Sequence, residues 1–306
     1  MGENNFSLNK MVKILLGKSS NHDRWDNEVY WEPKVTGGSN PHLLLSGTSG
    51  SGKTETLKVI CDELTKQGIP LLIFDFHNDF GQFAKNTVDE NNLRMHPLEI
   101  LKGQKPKNVV YKVASIFRNS FSDLTTIQEG IIMNAIREFY MASGITDLKQ
   151  PYYGKGELLP FRKFRGYIEN ADADRRSVTS IKIKLDILFD YEVFSEAEST
   201  NLDFAKLLED NTVFLLKSAP SDEVKRVVTE LIINKLIQYN YLREKSDEIK
   251  LYCIIDEAHR MVYSGSPLET LFREARKYGI GVVLASQRPT DFDENILANA
   301  GTVITL

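Results

Sequence analysis

A glycine-rich segment at residues 47–54 (GTSGSGKT) constrains the fold of this 306-residue chain more than any other feature. A compact apolar run at 42–46 (HLLLS) precedes it, and a stretch at 54–67 with apolar residues at helical spacing follows it. A strand, a GxxxxGK turn ending in Ser or Thr, and a helix form a phosphate-binding loop. The glycines let backbone N–H groups turn toward an anion, and the helix adds the positive end of its dipole. This segment therefore predicts a site for the phosphates of a nucleotide.

The side chains of this loop have separate predicted roles. Lys53 can reach the β- and γ-phosphates, and the Thr54 hydroxyl is placed to ligate Mg²⁺. We therefore predict ATP and Mg²⁺ as cofactors. The residues predicted to contact the nucleotide are Gly47, Thr48, Ser49, Gly50, Ser51, Gly52, Lys53, Thr54 and Glu55. An ordinary glycine-rich turn would fit the letters alone, but not their position between a strand and a helix.

Short apolar runs alternate with amphipathic stretches along the rest of the chain, as in an α/β protein with a mostly parallel sheet. Strands are predicted at 42–46, 70–76, 212–217, 251–256, 281–287 and 302–306, and helices at 54–67, 124–142, 222–242 and 268–278. Together with the phosphate loop, this pattern predicts the α/β P-loop NTPase fold of the RecA/ASCE type. That fold is a three-layer sandwich with helices on both faces of the sheet.

The order of the elements also divides the chain. Residues 144–200 break the alternation with Gly154, Gly156 and Pro160, and are predicted to be an inserted helical and loop segment. The predicted domains are an N-terminal extension at 1–40 and a nucleotide-binding domain at 41–306. Because the last predicted strand ends with the chain, we expect a trimmed or partial protein.

Composition excludes some classes of function. The net charge is −4, from 38 basic and 42 acidic residues, so a site for a polyanion must be a local patch. No apolar run approaches the roughly 18 residues that span a bilayer, and the N-terminus lacks the features of a secretion signal. Cys61 and Cys253 lie within apolar runs, as buried thiols of a reducing compartment do. We predict a cytoplasmic protein without a membrane partner.

Two adjacent acids, Asp256 and Glu257, stand at the end of the predicted strand 251–256. A phosphate-binding loop needs an acid at a neighbouring strand end to hold Mg²⁺ or its water. We assign Asp256 to Mg²⁺ and Glu257 to the attacking water as general base. Capping of the next helix is the alternative use of such a pair. Gln287, at the end of strand 281–287, is predicted to sense the γ-phosphate, with a solvent-facing side chain as its alternative.

The sequence does not decide the roles of His259 and of the polar residues in the DFHND turn. His259 follows the acid pair in DEAHR and could relay the state of the nucleotide or simply pack. Asp75, His77 and Asp79 lie at the end of the strand 70–76, where one His and two acids are a weak signal for a metal site. Lining the nucleotide site and ordinary turn chemistry both remain open for them.

Several segments occur together in the order and spacing of one superfamily. They are NPHLLLSGTSGSGKT, the DFHND turn, DEAHR, REARKYGIG and ASQRP, and they span residues 40–306. This combination resembles the HerA/FtsK superfamily of ring-forming, DNA-pumping ATPases, and its HerA branch most closely. The stretch before the loop also resembles HerA-like ATPase modules of bacterial anti-phage systems, such as DptH.

The resemblance implies that residues 41–306 are a HerA/FtsK-like ATPase domain, working in a hexameric ring that threads duplex DNA. It also implies that Arg276, the second arginine of the RExRK segment, is an arginine finger. Such a finger acts in trans, on the γ-phosphate bound by the neighbouring subunit, and neutralises transition-state charge. HerA proteins usually carry an N-terminal β-barrel as well, which the residues before the loop are too few to form.

A basic and aromatic cluster within 144–200 is a candidate surface for contact with DNA. FRKFR at 161–165 interleaves two aromatic residues with three cations, and Arg175, Arg176, Lys182 and Lys184 follow. A translocase grips phosphates with Lys and Arg without reading the bases. The alternative is a solvated basic face anchored by two aromatic residues.

These observations predict an ATP-hydrolysing, ring-forming motor that translocates or remodels double-stranded DNA. We expect a nuclease or other effector as its partner, in a bacterial DNA-processing or anti-phage defence complex. The first alternative is a nucleotide-gated oligomeric scaffold for an effector, with slow hydrolysis. The second is a conjugation or secretion ATPase of the same superfamily. Glu257 and Arg276 favour the motor, because a scaffold needs neither a base nor a finger.

Overall fold

The apolar runs predicted as strands all pair in one sheet. The computed structural model describes residues 12–18, 28–35, 40–154, 158–191, 194 and 203–306. Its strands are β1 (Ile14–Lys18), β2 (Glu28–Trp31), β3 (Leu43–Ser46), β4 (Leu71–Asp75), β5 (Asn86–Val88), β6 (Thr212–Leu215), β7 (Ser246–Ile255), β8 (Tyr278–Ser286) and β9 (Thr302–Thr305). Seven of them form a sheet in the order β5-β6-β4-β7-β8-β3-β9. Every neighbouring pair in it is parallel, so all carboxyl ends lie at one edge.

The helices fall between the strands, as parallel crossovers require. They are α1 (Lys53–Lys66), α2 (Pro106–Ser120), α3 (Thr126–Ala142), α4 (Phe164–Glu169), α5 (Arg175–Asp190), α6 (Phe204–Leu207), α7 (Asp222–Tyr241), α8 (Pro267–Glu274) and α9 (Glu294–Ala298). The start of α3 shows why the sequence places it there. Thr125 accepts a hydrogen bond from the Gln128 N–H, and the Gln128 side chain accepts one from the Thr125 N–H, which closes a capping box.

Alternate residues of the strands pack into two separate hydrophobic cores, because successive side chains point to opposite faces of a sheet. Leu43 and Leu45 pack in the core that contains the apolar side of α1, together with Ile14 and Trp31 of the antiparallel pair β1–β2. Leu44 belongs to the larger core on the other face, to which α2, α3, α5, α7 and α8 contribute. Helices on both faces of a parallel sheet confirm the predicted three-layer P-loop fold.

The described part of the predicted insertion packs on the larger core. Phe161 and Phe164 are almost fully buried there, and α4 and α5 add Ile168, Ile181 and Leu185. Both aromatic residues of the FRKFR segment are therefore structural. The domain boundaries at 40 and 41, and the insertion at 144–200, stay predictions.

Several elements lie outside the predicted ones, and most are short. They are β1, β2, β5, α4, α6 and α9, together with the longer α2 and α5. Helix α2 had a clear signal, since Pro106 occupies its first turn and Val109, Val110 and Val113 recur at helical spacing. The predicted helix 268–278 ends earlier than expected: α8 stops at Glu274, and a single 3₁₀ turn (Ala275–Lys277) leads into β8. Cys61 and Cys253 are free and buried, as predicted.

Candidate nucleotide site

The phosphate loop lies at the carboxyl edge of the sheet, between β3 and α1. Its first residue is fixed to the neighbouring strand by a hydrogen bond from the Gly47 N–H to the Ser286 carbonyl (3.3 Å). Gly50 and Gly52 have φ angles of 80° and 99°. Only glycine adopts such angles readily, so the backbone conformation of the loop requires glycine at these two positions. Gly52 is also the N-cap of α1, which aims the start of that helix at the loop.

Lys53 bends back over the loop instead of extending into solvent. Its ammonium group donates to the carbonyls of Gly47 (2.7 Å) and Thr48 (3.0 Å), and the residue is 8% exposed. A phosphate placed in the loop would bring anionic oxygens to this held cation. Nearby, the Ser51 hydroxyl is buried without a hydrogen-bond partner among the described residues. The loop therefore holds a positive charge and a hydroxyl without a partner at the start of α1.

Asp256 comes directly after β7, two strands away from the phosphate-loop strand. It is 5% exposed, and its Oδ1 atom accepts a hydrogen bond from the Glu257 N–H (2.9 Å). Burial raises the pKa of Asp256, and the charge of Glu257 raises it further, whereas His77 and Lys53 lower it. Lys53, which follows the phosphate loop after β3, and Asp256, which follows β7, therefore both lie at the carboxyl edge of the sheet.

The oxygen donors here suit Mg²⁺. Thr54 offers a hydroxyl and Asp256 a carboxylate, and Mg²⁺ prefers oxygen ligands but keeps several waters and substrate phosphates. Within the described ranges, no group of three or more His, Cys, Asp or Glu residues could hold a metal ion. A dedicated protein cage is thus not found there, whereas a site completed by nucleotide phosphates needs only these two ligands. The residues therefore fit the group, and their roles stay a prediction.

Glu257 has an unusual backbone conformation, with φ 53° and ψ 39°. A left-handed glutamate costs on the order of 1–3 kcal/mol, and such strain concentrates at functional sites. The strained turn directs its Oε2 atom toward two partners, the Gln287 amide nitrogen (3.4 Å) and His259 Nδ1 (3.4 Å). Glu257 and Gln287, predicted separately from two strand ends, therefore meet.

His259 also contacts the last residue of β8. The Ser286 hydroxyl lies 3.4 Å from His259 Nδ1 and donates to Asp291 Oδ2 (2.5 Å), which also accepts from the Arg288 N–H (3.0 Å). His259 therefore touches both the candidate base and the strand end that carries Gln287. Of the two roles left open for His259, polar contact within the site describes its position better than packing.

The Asp75 carboxylate stabilises the DFHND turn itself. Asp75 Oδ1 accepts hydrogen bonds from the N–H groups of His77, Asn78 and Asp79, and its Oδ2 accepts from the Phe80 N–H. Four backbone donors occupy this carboxylate, so turn chemistry explains Asp75. His77 lies just after β4 and is exposed, at the same carboxyl edge of the sheet as Asp256.

Arg276 lies at the opposite edge of the sheet. It sits in the 3₁₀ turn immediately before β8, and its Nε atom donates to the Val35 carbonyl (2.9 Å). Strand β8 then runs from Tyr278 to Ser286, which contacts the phosphate loop. At a rise of about 3.3 Å per residue, that strand separates the two points by about 26 Å. An arginine side chain cannot cross this distance, so Arg276 is outside its own nucleotide site.

Part of the basic cluster predicted as a DNA surface is paired within the chain. Arg165 contacts Asp186 (3.1 Å) and Glu169 (3.6 Å), Lys182 contacts Glu169 (2.6 Å), and Lys184 donates to the Ser122 carbonyl (2.7 Å). With Phe161 and Phe164 in the core, this geometry favours the solvated-face reading of the cluster. Arg175 and Arg176, at the start of α5, are exposed.

The glycine loop between β3 and α1, with acids at the end of β7, defines a P-loop NTPase. Residues 39–236 match the family described as "Helicase HerA, central domain". The chain belongs to that family, which confirms the resemblance to the HerA branch of the HerA/FtsK superfamily.

Relatives of known identity agree with this assignment. The chain is 25% identical over 293 residues to the DNA double-strand break repair helicase HerA of Sulfolobus acidocaldarius, covering 87% of this chain and 54% of that protein. It is 28% identical over 295 residues to the DNA import protein CedB of the same organism, covering 92% of this chain and 45% of that protein. The chain thus spans about half the length of the curated relatives it matches.

Solved structures show the same fold. VirB4 of Thermoanaerobacter pseudethanolicus superposes with a TM-score of 0.72 at 20% identity, covering 96% of this chain and 83% of that one. The plasmid coupling protein TrwB, in complex with ADP and Mg²⁺, gives 0.60 at 14% identity, covering 85% of this chain and 68% of that one. In the part of the chain that the structure describes, no helix is long and apolar enough to cross a membrane.

Proposed function

We propose that this chain is the ATP-hydrolysing module of a ring-forming motor that translocates or remodels double-stranded DNA. The observation that carries the proposal is the meeting of a strained Glu257 with Gln287 beside the buried Asp256. A site that only binds nucleotide gains nothing from a held carboxylate next to the metal ligand. Relatives named for DNA repair and DNA import support duplex DNA as the substrate.

The proposed roles follow from position. Lys53 and the loop N–H groups bind the phosphates, Thr54 and Asp256 hold Mg²⁺, and Glu257 accepts a proton from the attacking water. Gln287 orients the Glu257 carboxylate and the γ-phosphate. When bound, Mg²⁺ would neutralise charge on the β- and γ-phosphate oxygens. The resemblance implies an arginine finger at Arg276, and because the residue lies about 26 Å from its own loop along β8, we assign it to the site of an adjacent copy.

Assembly follows from that separation. A site that needs an arginine from a second copy works only in a homo-oligomer, and a closed ring gives every copy the same neighbour. We propose a hexamer, with a nuclease or other effector as partner in a bacterial DNA-processing or anti-phage defence complex. The DptH-like stretch before the loop is the reason for placing it in defence.

DNA-dependent ATP hydrolysis tests the proposal against a slow nucleotide-gated scaffold. Turnover is measured on a preparation of confirmed oligomeric mass, with and without duplex DNA. The motor requires a clear rise in kcat when duplex is added. A kcat unchanged by duplex, in a confirmed oligomer that binds ATP, would contradict the motor and favour the scaffold.

A further inference from the structure

A second cleft opens beside the nucleotide site, at the carboxyl edge of the sheet. It has a volume of about 280 Å³, and we call it the α7 cleft. Its walls come from the ends of three neighbouring strands: Phe76 follows β4, α7 follows β6, and the DEAHR segment follows β7. The side chains around its mouth are Phe76, Asp222, Lys225, Arg226, His259 and Arg260.

The α7 cleft carries more positive than negative charge. Lys225, Arg226 and Arg260 face a single lining acid, Asp222. One oxygen of that acid, Oδ1, contacts both Arg260 Nη1 (2.8 Å) and Lys225 Nζ (3.4 Å). One carboxylate between two cations leaves a net positive charge. Arg226 donates to the Asn119 carbonyl (3.1 Å) and also faces Glu230, whose pKa burial raises to about 7 against the lowering effect of Arg226. The cleft is therefore suited to an anion.

Arg260 is held for such a ligand but incompletely satisfied. Its guanidinium carbon lies 5.7 Å from the centre of the Phe76 ring, a cation–π distance that keeps the group against the wall. Its Nε atom is buried and has no hydrogen-bond partner within the described ranges. A buried donor without a partner is unfavourable, and a bound oxyanion supplies one. Arginine recognises phosphate oxygens in a forked geometry, so phosphate is the anion that fits best.

The cleft is connected to the candidate base. His259 lines it, and the Nδ1 atom of the same ring lies 3.4 Å from Glu257 Oε2 and 3.4 Å from the Ser286 hydroxyl. A group that enters the cleft and moves His259 must therefore change what holds the Glu257 carboxylate. No other lining side chain named above contacts Glu257 in the described structure.

We propose that the α7 cleft binds a phosphodiester of the nucleic-acid backbone, and that His259 transmits its occupancy to Glu257. The proposal rests on the proposed function, because it takes DNA as the substrate. It assigns DNA contact to this cleft instead of the basic cluster formed by FRKFR and α5. It also gives a physical route by which duplex DNA raises the rate of hydrolysis.

Binding of a labelled duplex at several salt concentrations tests the contact. Lys225→Ala and Arg260→Gln should each weaken binding and reduce the slope of log K against log salt by about 1, the change expected for one lost phosphate contact. Lys66→Ala removes one exposed cation near the far end of α1 and should leave the slope unchanged. Lys225 is 18% exposed, and its ammonium group contacts Asp222 one turn earlier on the same helix. Loss of such an i,i+3 ion pair costs little stability, so Lys225→Ala keeps the test valid if Arg260→Gln unfolds.

The outcomes separate this inference from the proposed function. Wild-type binding with an unchanged slope in Lys225→Ala overturns the cleft assignment and leaves the DNA motor standing. If duplex affinity falls only in a double Arg175→Ala, Arg176→Ala variant, the DNA contact lies on α5 and the cleft assignment is wrong. If the wild-type oligomer does not bind duplex and its ATP turnover does not change when duplex is added, the cleft assignment and the proposed DNA motor are both wrong. Displacement of duplex by inorganic phosphate beyond that by chloride at equal ionic strength, lost in Lys225→Ala, would assign the cleft to free phosphate instead.

His259 is a positioning residue in this account and needs its own readout. His259→Ala should retain duplex affinity but lose most of the DNA-induced rise in kcat, with KM for ATP little changed. His259→Asn places an amide near the position of Nδ1 and should recover part of that rise. Equal stimulation in wild type and His259→Ala would overturn the transmission. Failure of both variants to bind duplex would show a structural role instead.

Discussion

At the carboxyl edge of the sheet, the polar side chains contact one another: Glu257 meets Gln287 and His259, and Lys53 acts on the pKa of Asp256. At the amino edge, Arg276 contacts only the backbone carbonyl of Val35 among the described residues. The polar groups of the candidate nucleotide site are thus gathered at the carboxyl edge. At the amino edge Arg273 and Lys277 pair with Glu274, whereas Arg276 makes no ion pair among the described residues.

The largest expected effect is at the carboxyl edge. Lys53→Ala removes the only side-chain cation of the phosphate loop, and ATP turnover should fall to background. Steady-state phosphate release measures it, with Lys66→Ala as a charge-matched control that should retain activity. Wild-type turnover in Lys53→Ala would mean that the loop does not hold the phosphates.

Arg276→Ala tests the amino edge. We expect a loss of roughly 10³–10⁵ in kcat, the range reported for an arginine finger, with ATP affinity little changed because the arginine is far from its own loop. Arg273→Ala is the matched control, since Arg273 lies exposed in the last turn of α8, three residues before Arg276, and pairs with Glu274. Equal ATP turnover in Arg276→Ala and Arg273→Ala would mean that Arg276 is not an arginine finger.

Glu257→Gln addresses the candidate base. The amide keeps the shape of the side chain but cannot accept the proton, so kcat should fall by roughly 10²–10⁴ while ATP stays bound. Single-turnover hydrolysis with retained nucleotide measures this. A normal single-turnover rate would reassign the base.

The smallest effect concerns a buried histidine at the amino edge. His42 Nδ1 accepts a hydrogen bond from the Val282 N–H, and burial, aided by nearby Arg276, lowers the pKa of His42 to about 3. The unfolded chain takes up this proton near pH 6.5, so the contribution to stability is complete above that pH and declines as the pH falls toward 3.

His42→Asn keeps an acceptor near Nδ1 and cannot be protonated. Between pH 6 and pH 4, its stability should therefore depend less steeply on pH than that of the wild type, by about 1.4 kcal/mol per pH unit. Urea unfolding at several pH values measures the difference. Parallel pH profiles would show that His42 is protonated in the folded protein.

The sequence predicted the carboxyl edge well, because its signals are local. A loop motif and the acids at a strand end can each be recognised within a few residues, and parallel pairing brings the strand ends to one edge. The meeting of Glu257 and Gln287 followed from that rule. The left-handed backbone of Glu257 had no such signal, because nothing about a glutamate in sequence indicates a positive φ.

The surfaces were predicted less well, because charge in sequence does not show which partner it finds. FRKFR looked like a DNA contact, but its aromatic residues are core and Arg165 is paired with acids. The α7 cleft collects cations from segments that lie far apart in sequence, such as Lys225 and Arg260, so no single stretch announces it. The position of Arg276 relative to its own loop likewise required the direction of β8.

Mixing two inactive variants tests the shared site most directly. Arg276→Ala subunits keep an intact phosphate loop, and Lys53→Ala subunits keep an intact arginine, so a mixed assembly contains interfaces with both. We predict that each variant is inactive alone and that mixtures regain a fraction of wild-type ATP turnover that depends on the mixing ratio. Mixed assemblies, verified by particle mass, that show no recovered turnover would contradict a site shared between subunits.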